Sequence, residues 1–418
     1  MLSDHDVRAR LAEAFHEQAD PVAGPVTGPA VNTAGIYARG RRRRRRLIAV
    51  RGVSVLAAAS LAAGAWTLRP GGAAPAPTAA PGGASAPARA AGVLLDAAIA
   101  RPQPVAAAQA GMPPYYVITS HDGATAVIRS SATGAVLATA PLPAGIDPKL
   151  SLIGAAGNSH TFVLALSPDS GTRFYLLRVS AGGHSARLAP LAVPGLPAGE
   201  FANAIAVSPD GRELAVAVQT GAGARGFVEV VTLATGAVRT WAATRPGMPE
   251  QLSWASNGRD LGFFWTDDAG TPAASAAGLW VLDTTAAGRN LMSGRRILAA
   301  SDGPDEVQTA LLSPDGATAI ASVTYNGTRR VAAGTVVGGI VEVSARTGLP
   351  LRTLLAEHAA YSGDPGHAGW YVTGCQLPGI DASGEHLLVS CDSFGRLDRA
   401  RFTTLPGSAP QVAVAAGW

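Results

Sequence analysis

From Tyr115 onward, short apolar runs alternate with clusters of Ser, Pro, Asp, Asn and Gly at near-regular intervals. One recurring unit is strand, tight turn, strand, as in Ile205-Ala-Val-Ser-Pro-Asp-Gly-Arg-Glu-Leu-Ala-Val-Ala-Val218. Its relatives run over Leu252–Trp265, Leu311–Val323 and Ile380–Ser390. Proline presets φ and glycine accepts positive φ, so Ser-Pro-Asp-Gly is a tight turn on physical grounds. A second unit, strand, Thr-Gly turn, strand, alternates with the first at Ala126–Leu137, Val228–Arg239 and Ile340–Leu351. Counting looser copies, its turn glycines at 134, 183, 236, 288, 348 and 407 are 49, 53, 52, 60 and 59 residues apart. Two hairpins per period predict four antiparallel strands per period, the mark of propeller blades. The expected fold is therefore all-β, a β-propeller of about six four-stranded blades. The first blade lacks an evident first strand, so residues 93–110 or Gln411–Ala415 are expected to pair there and close the ring.

Upstream the pattern changes. Leu47 to Leu68 is an almost unbroken apolar stretch of 22 positions, about 33 Å as helix against a hydrocarbon core of about 30 Å. Arg51, its one charge, lies a turn inside the basic end, where its stem can snorkel, and Trp66 sits near the other interface. The run Arg41–Arg46 adjoins the stretch, so a single N-terminal transmembrane helix is predicted, with the arginines cytoplasmic and everything after Arg69 outside. A cleaved export signal, with the small-residue site Ala63-Gly-Ala65, is the competing reading; either way the rest of the chain is exported. Near the start, Val7, Leu11 and Phe15 form one apolar stripe of a short helix over residues 3–17, suited to the membrane surface or to a partner's groove. The expected organisation is a cytoplasmic tail at 1–46, the span at 47–68, a Pro/Ala/Gly-rich linker at 69–112 and a propeller ectodomain at 113–418.

Composition sharpens this picture in two ways. The net charge of +4 is uneven, because residues 1–51 hold ten Arg against five acids and the remainder carries 23 bases against 24 acids. The exported part thus lacks the basic footprint of a nucleic-acid binder. Lys149 is the only lysine among abundant Arg, Ala, Gly and Pro, a bias expected of a GC-rich bacterial coding sequence.

The Ser-Pro-Asp-Gly units resemble the WD40-like (PD40, TolB-type) propeller repeats of exported bacterial proteins over roughly residues 115–416. The resemblance implies the fold; it leaves function open, since propellers serve as binding modules, scaffolds and enzymes alike.

Candidate chemistry is sparse. Cys375 and Cys391 flank the turn of the last Ser-x-x-Gly-type hairpin in an exported domain, which predicts a disulfide across neighbouring strands. It would close a loop worth roughly 3 kcal/mol. His386, between them, reads as an edge residue rather than a metal ligand, and no metal or cofactor is expected. Asp267-Asp268 reads as solvated loop, and Asn326-Gly327-Thr328, formally a sequon, as a turn. No nucleophile elbow, zinc-protease helix, phosphate loop or paired-cysteine zinc pattern occurs. In a four-stranded meander the tight turns gather at one end of the ring and the long connectors, 219–226, 266–278, 325–339 and 356–370, at the other. Binding residues concentrate on such connectors, and Arg329, Arg330, Tyr361, His367 and Trp370 are the candidates. The expected function is a membrane-tethered, extracytoplasmic and non-catalytic binding or scaffold module at the bacterial cell membrane, for a protein, peptide or cell-wall ligand. Alternatives are a propeller hydrolase or lactonase, and a transmembrane regulator acting through its cytoplasmic helix.

Overall fold

The second strand of each repeat is apolar at nearly every position, and in the computed structural model of the chain it is buried on both faces. The structure describes residues 111–120, 122–146, 151–155, 160–167, 171–220, 225–267, 276–286, 289–300, 305–325, 336–358, 360–362, 369–371, 375–391, 393–405 and 416–417. The predicted span at 47–68, the stripe of Val7, Leu11 and Phe15, and linker residues 69–110 lie outside these. Among the described residues no helix is long and apolar enough to cross a membrane.

The strands form six four-stranded antiparallel sheets, the blades, whose positions are named A to D from the centre outward. Blade 1 uses β1 (Tyr115–Thr119), β2 (Thr125–Ser130) and β3 (Val136–Pro141) as B, C and D. Blade 2 is β4 (Leu152–Ala155), β5 (Thr161–Leu166), β6 (Arg173–Val179) and β7 (Ala186–Pro190). Blade 3 is β8 (Glu200–Val207), β9 (Glu213–Thr220), β10 (Phe227–Thr232) and β11 (Val238–Ala242). Blade 4 is β12 (Gly247–Trp254), β13 (Asp260–Asp267), β14 (Gly278–Asp283) and β15 (Arg295–Arg296). Blade 5 is β16 (Asp305–Leu312), β17 (Thr318–Tyr325), β18 (Val336–Ser344) and β19 (Pro350–His358). A two-stranded ribbon, β20 (Ala360–Ser362) and β21 (Gly369–Tyr371), follows. Blade 6 is β22 (Gln376–Ile380), β23 (His386–Ser390), β24 (Phe394–Asp398) and β25 (Arg401–Thr404). The A strand of blade 1 is β26 (Ala416–Gly417), which pairs with β1 through Val117↔Gly417 and Ile118↔Ala416. The closing strand thus lies just beyond the expected Gln411–Ala415. Each innermost strand touches the next in a closed cycle, β4, β8, β12, β16, β22, β26 and back to β4.

Burial explains the apolar runs. The B strands β5, β9, β13 and β23 are buried almost throughout, because a neighbouring blade covers each of their faces. The D strands β3 and β11 are largely exposed at the rim. The core is a set of seams between blades, one holding Ala217, Phe263 and Trp265, another Val307, Val323 and Leu298.

The tight turns follow the predicted chemistry. In Ser208–Arg212, Ser208 Oγ donates to Asp210 Oδ1 at 2.6 Å and Gly211 sits at φ 69°, where a side chain would be strained. Blade 6 keeps the same bond with the partners exchanged: Ser383 Oγ donates to Asp381 Oδ2 at 2.6 Å. Side chains also latch blade to blade at this end. The Tyr115 hydroxyl reaches His160 Nδ1 and the Ser180 carbonyl of blade 2. Arg239 donates to Thr284 O at 2.7 Å, Arg295 to Ala345 O, and Arg396 to Ser131 O across the closure of the ring.

One expectation needs correcting here. His386 is not an edge residue. It opens β23, a B strand, is 1% exposed, and its Nδ1 lies 2.8 Å from Asp398 Oδ1 on the adjacent C strand. The sequence places it in a hairpin, but only the assembled ring shows that the hairpin's second strand is walled in on both faces.

Candidate functional site

Strand order puts the A–B and C–D links at one end of the ring, the turn end, and the B–C and D–A links at the other, the connector end. The long connectors expected from the sequence are all B–C or D–A links, as the repeat pattern requires. Arg329, Arg330 and His367 lie outside the described residues. Tyr361 and Trp370 are backbone partners in the register of the β20–β21 ribbon, within the D–A connector between blades 5 and 6. Cys375 and Cys391 are joined, with S–S 2.04 Å, one residue beyond the Gln376↔Ser390 pair and at the connector end of blade 6.

The channel wall at this end carries groups that the sequence reading missed. The innermost strands of blades 3, 4 and 5 each break register once: between Ala202 and Ala204, between Glu250 and Leu252, and between Val307 and Thr309. The residue skipped by the ladder is an amide each time, Asn203, Gln251 and Gln308, and each is half-exposed. A bulge re-aims a side chain away from the regular alternation. Gln251 also sits at φ 51°, a conformation few residues with a side chain adopt. Asn203 Nδ2 donates to Gln219 Oε1 at 3.4 Å, and Thr266 Oγ1 donates to Glu250 Oε2 at 3.2 Å. Glu200, at the connector end of β8, is pushed up by burial. Glu229 on β10 is pushed up by burial and by the charge of Glu200, against a hydrogen bond from Thr240. A sequence signal did exist: an amide stands four or five positions before the first turn residue, Ser208, Ala255 or Ser313, in the first strand of the hairpin.

Two of these blades, 4 and 5, carry the long B–C connectors, at 268–277 and 326–335; the links of blades 2 and 3, at 167–172 and 221–226, are six residues each, and blade 6 links B to C through 391–393. The blade 4 connector is pinned at its base by Asp267, expected as solvated loop. Its carboxylate accepts from Trp265 Nε1 at 2.8 Å and from the backbone of Ala276 and Ala277 at 2.8 and 3.1 Å, with Arg245 Nε at 3.5 Å. Asp268 lies outside the described residues. Among the described residues no group of three His, Cys, Asp or Glu is placed to hold a metal ion. What the wall offers instead is hydrogen bonding in both directions, since each amide donates and accepts.

A second polar region lies between blades 5 and 6. Thr309 and Ser322 pair across β16 and β17, and Thr324, Gly338 and Glu357 form one row across β17, β18 and β19. Thr309, Ser322 and Thr324 are 2%, 0% and 5% exposed, and their hydroxyls have no partner among the described residues. A buried hydroxyl left unpaired costs about 1–3 kcal/mol. Elsewhere, a cleft on blade 2 is lined by Thr172, Arg173, Phe174, Tyr175, Pro190 and Leu196.

No family model matches the chain, and no curated protein matches it either. Among solved structures it is similar to hydrazine synthase of Kuenenia stuttgartiensis, at 13% identity over 68% of this chain and 74% of that one, with a TM-score of 0.43. It is also similar to the β-propeller domain of Cps50 (Swd1) from Myceliophteria thermophila, at 13% identity over 69% and 79%, TM-score 0.39. An oligogalacturonate lyase in complex with manganese matches at 10% identity over 67% and 70%, TM-score 0.39. Likenesses this distant carry no argument about activity, and the fold rests on the chain's own strand pairing. That pairing makes the described part of the chain a six-bladed β-propeller, closed by its last strand.

Proposed function

We propose that the chain is a membrane-tethered propeller outside the bacterial cytoplasm that binds, without catalysis, a protein, peptide or cell-wall ligand at the connector end of its channel. The observation that carries this is a coincidence of position. Three successive blades, 3, 4 and 5, present a bulged, half-exposed amide on their innermost strands, at Asn203, Gln251 and Gln308, and two of them, 4 and 5, carry the long B–C connectors. A strained φ at one of them, Gln251, costs about 1–3 kcal/mol, and such strain concentrates where a surface is shaped for a ligand. Backbone amides of peptides and hydroxyl or acetamido groups of wall polymers match donor–acceptor side chains of this kind. Arg329, Arg330, Tyr361, His367 and Trp370 belong by sequence to the B–C link of blade 5 and the D–A link that follows it, and would widen the contact.

The tether is read from the sequence: Arg41–Arg46 followed by the apolar run Leu47–Leu68 sets a single span with the propeller outside. A reporter active only outside the membrane, fused after residue 92, should work; a mature N-terminus near residue 66 and a protein that washes free of membranes would overturn the tether. The binding proposal is tested by calorimetric titration of the full-length protein with soluble peptidoglycan fragments and with short peptides. One class should bind, and the combined Asn203→Ala, Gln251→Gly and Gln308→Ala variant should lose at least about tenfold in affinity. Turnover of a titrant, or affinity indifferent to the triple variant, would overturn it.

A further inference from the structure

The C strands of blades 1, 2, 3 and 5 end alike. Each closes its outer turn with a residue whose N–H donates to the carbonyl five positions on: Ser130, Ser180, Thr232 and Ser344. Three residues earlier, blades 1, 2 and 5 have Val127, Leu177 and Val341, each buried in the apolar seam toward the preceding blade. Blade 3 has Glu229 there. The carboxylate is thus a departure from the repeat and not a demand of the fold.

Side-chain alternation along β10 puts Glu229 on the face of Phe227 and Val231, and cross-strand pairing puts it beside Val216 of β9 and Thr240 of β11. That face belongs to the blade 2–blade 3 seam. There Phe227, Val231 and Val216 pack with Phe174 of β6 and with Leu191, Val193 and Leu196 of the link that follows β7. Glu229 is half-buried.

The charged groups around it offer no compensation. Glu200 on β8 is a second anion, and its charge reaches Glu229. Glu213 and Arg239 pair with each other, and Arg239 also bonds Thr284 O of blade 4. Arg225, ahead of β10, and Arg178 and Arg187, on blade 2, are exposed, and none of the three draws the Glu229 carboxyl down. The remaining facing elements, β4, β5 and the link at 191–199, carry no charged residue. Burial pushes the Glu229 carboxyl up, the Glu200 charge adds to this, and the hydrogen bond from Thr240 offsets only part of it.

A carboxyl in an apolar joint beside a like charge favours its neutral form. Once ionised it must be hydrated, and the part of the seam that can yield is the link. It lies outside the blade ladders, held to blade 2 by Leu191 N–H donating to Phe174 O and Leu196 N–H to Thr172 O, both at 2.9 Å. We propose that the blade 2–blade 3 seam is a proton-sensitive joint, packed when Glu229 carries its proton and loosened around Leu191–Leu196 when that proton passes to water. A carboxyl raised in the folded state contributes stability that is present below its unfolded value, near 4.5, and lost as pH rises through the folded one.

The test compares the full-length protein with Glu229→Gln, which keeps the shape of the neutral side chain but has no proton to lose. Between about pH 5 and pH 8 the thermal midpoint of the unchanged protein should fall relative to the variant's, leaving the variant about 2–4 °C higher at the upper end. Glu229→Val, which installs the residue of blades 1 and 5, provides the same comparison if the glutamine variant fails to fold. Amide hydrogen exchange, compared between the two proteins at one pH at a time so that intrinsic rates cancel, locates the effect. Leu191–Leu196 should exchange faster in the unchanged protein than in the variant at about pH 8, and alike at about pH 5. Midpoint profiles that run parallel would overturn the proposal. So would an exchange difference that is the same at both pH values.

Discussion

At the turn end of the ring, Ser208–Arg212 carries β8 into β9 with its own polar groups satisfied: Ser208 Oγ bonds Asp210, and Gly211 N–H donates to Ser208 O at 2.8 Å. Arginines reach from one blade to the turn carbonyls of the next, as Arg239 does to Thr284 and Arg396 to Ser131. At the connector end, Asn203, Gln251 and Gln308 stand half-exposed at breaks in the ladder, and Glu200 and Glu229 are held above the usual carboxylate range. The two ends share the same strands. The difference teaches that this ring turns most of its turn-end side chains onto its own backbone, the buried Ser131 hydroxyl excepted, and leaves half-exposed donors and acceptors at the other end, which is where a ligand would find them.

The largest effect should come from the core common to both ends. Phe263→Ala removes a ring that is 0% exposed between blades 3 and 4 and should cost about 3–5 kcal/mol in denaturant unfolding. Next is the staple of the connector end. Cys375→Ala with Cys391→Ala should cost about 3 kcal/mol, and a smaller loss would mean that the blade 6 hairpin is already fixed by pairing alone.

The turn-end latch of blade 6 is third. Arg396→Met should cost about 1.5–3 kcal/mol, because a charge-assisted bond to Asp398 and the bond to Ser131 O are both lost. Burial pushes the Asp398 carboxyl up, but bonds from His386 and Arg396 outweigh it and hold the group below its usual value of 3.8. A carboxyl depressed in the folded state contributes stability that is present above the unfolded pKa and lost as pH falls through the folded one. The unchanged protein should therefore lose this contribution only below about pH 4. Asp398→Asn should flatten that part of the profile, and an unchanged acid limb would show that the latch is not electrostatic. The smallest effect has the opposite sign. Gln251→Gly should stabilise by about 0.5–1 kcal/mol, because glycine tolerates φ 51°, while weakening ligand binding. A destabilised Gln251→Gly would remove strain from the description of the connector end.

Much of the turn end was legible in the sequence because its signals are local. Ser-Pro-Asp-Gly and Thr-Gly turns mark themselves, and a B strand such as Leu214–Val218 reads as a run because both its faces are covered. The Cys375–Cys391 pairing followed from the symmetry of the two cysteines about one hairpin turn. What escaped depends on the closed ring. The two residues Ala416–Gly417 have too little pattern to announce a closing strand. His386 looks like a hairpin residue until blades 5 and 1 enclose it. The blade 5–6 strip joins Thr309 to Glu357 through three strands and a glycine, which no periodicity encodes.

Where a ligand sits on the ring is read most directly by amide hydrogen exchange on the full-length protein. With whichever peptidoglycan fragment or peptide binds, exchange should slow in Glu200–Asn203, Met248–Gln251 and Val307–Gln308 and in the connectors of blades 3, 4 and 5, while Ser208–Arg212 and Ser313–Ala317 at the turn end stay unchanged. Slowed exchange confined to the turn end, or to rim strands such as β3 and β11, would contradict a ligand site at the connector end.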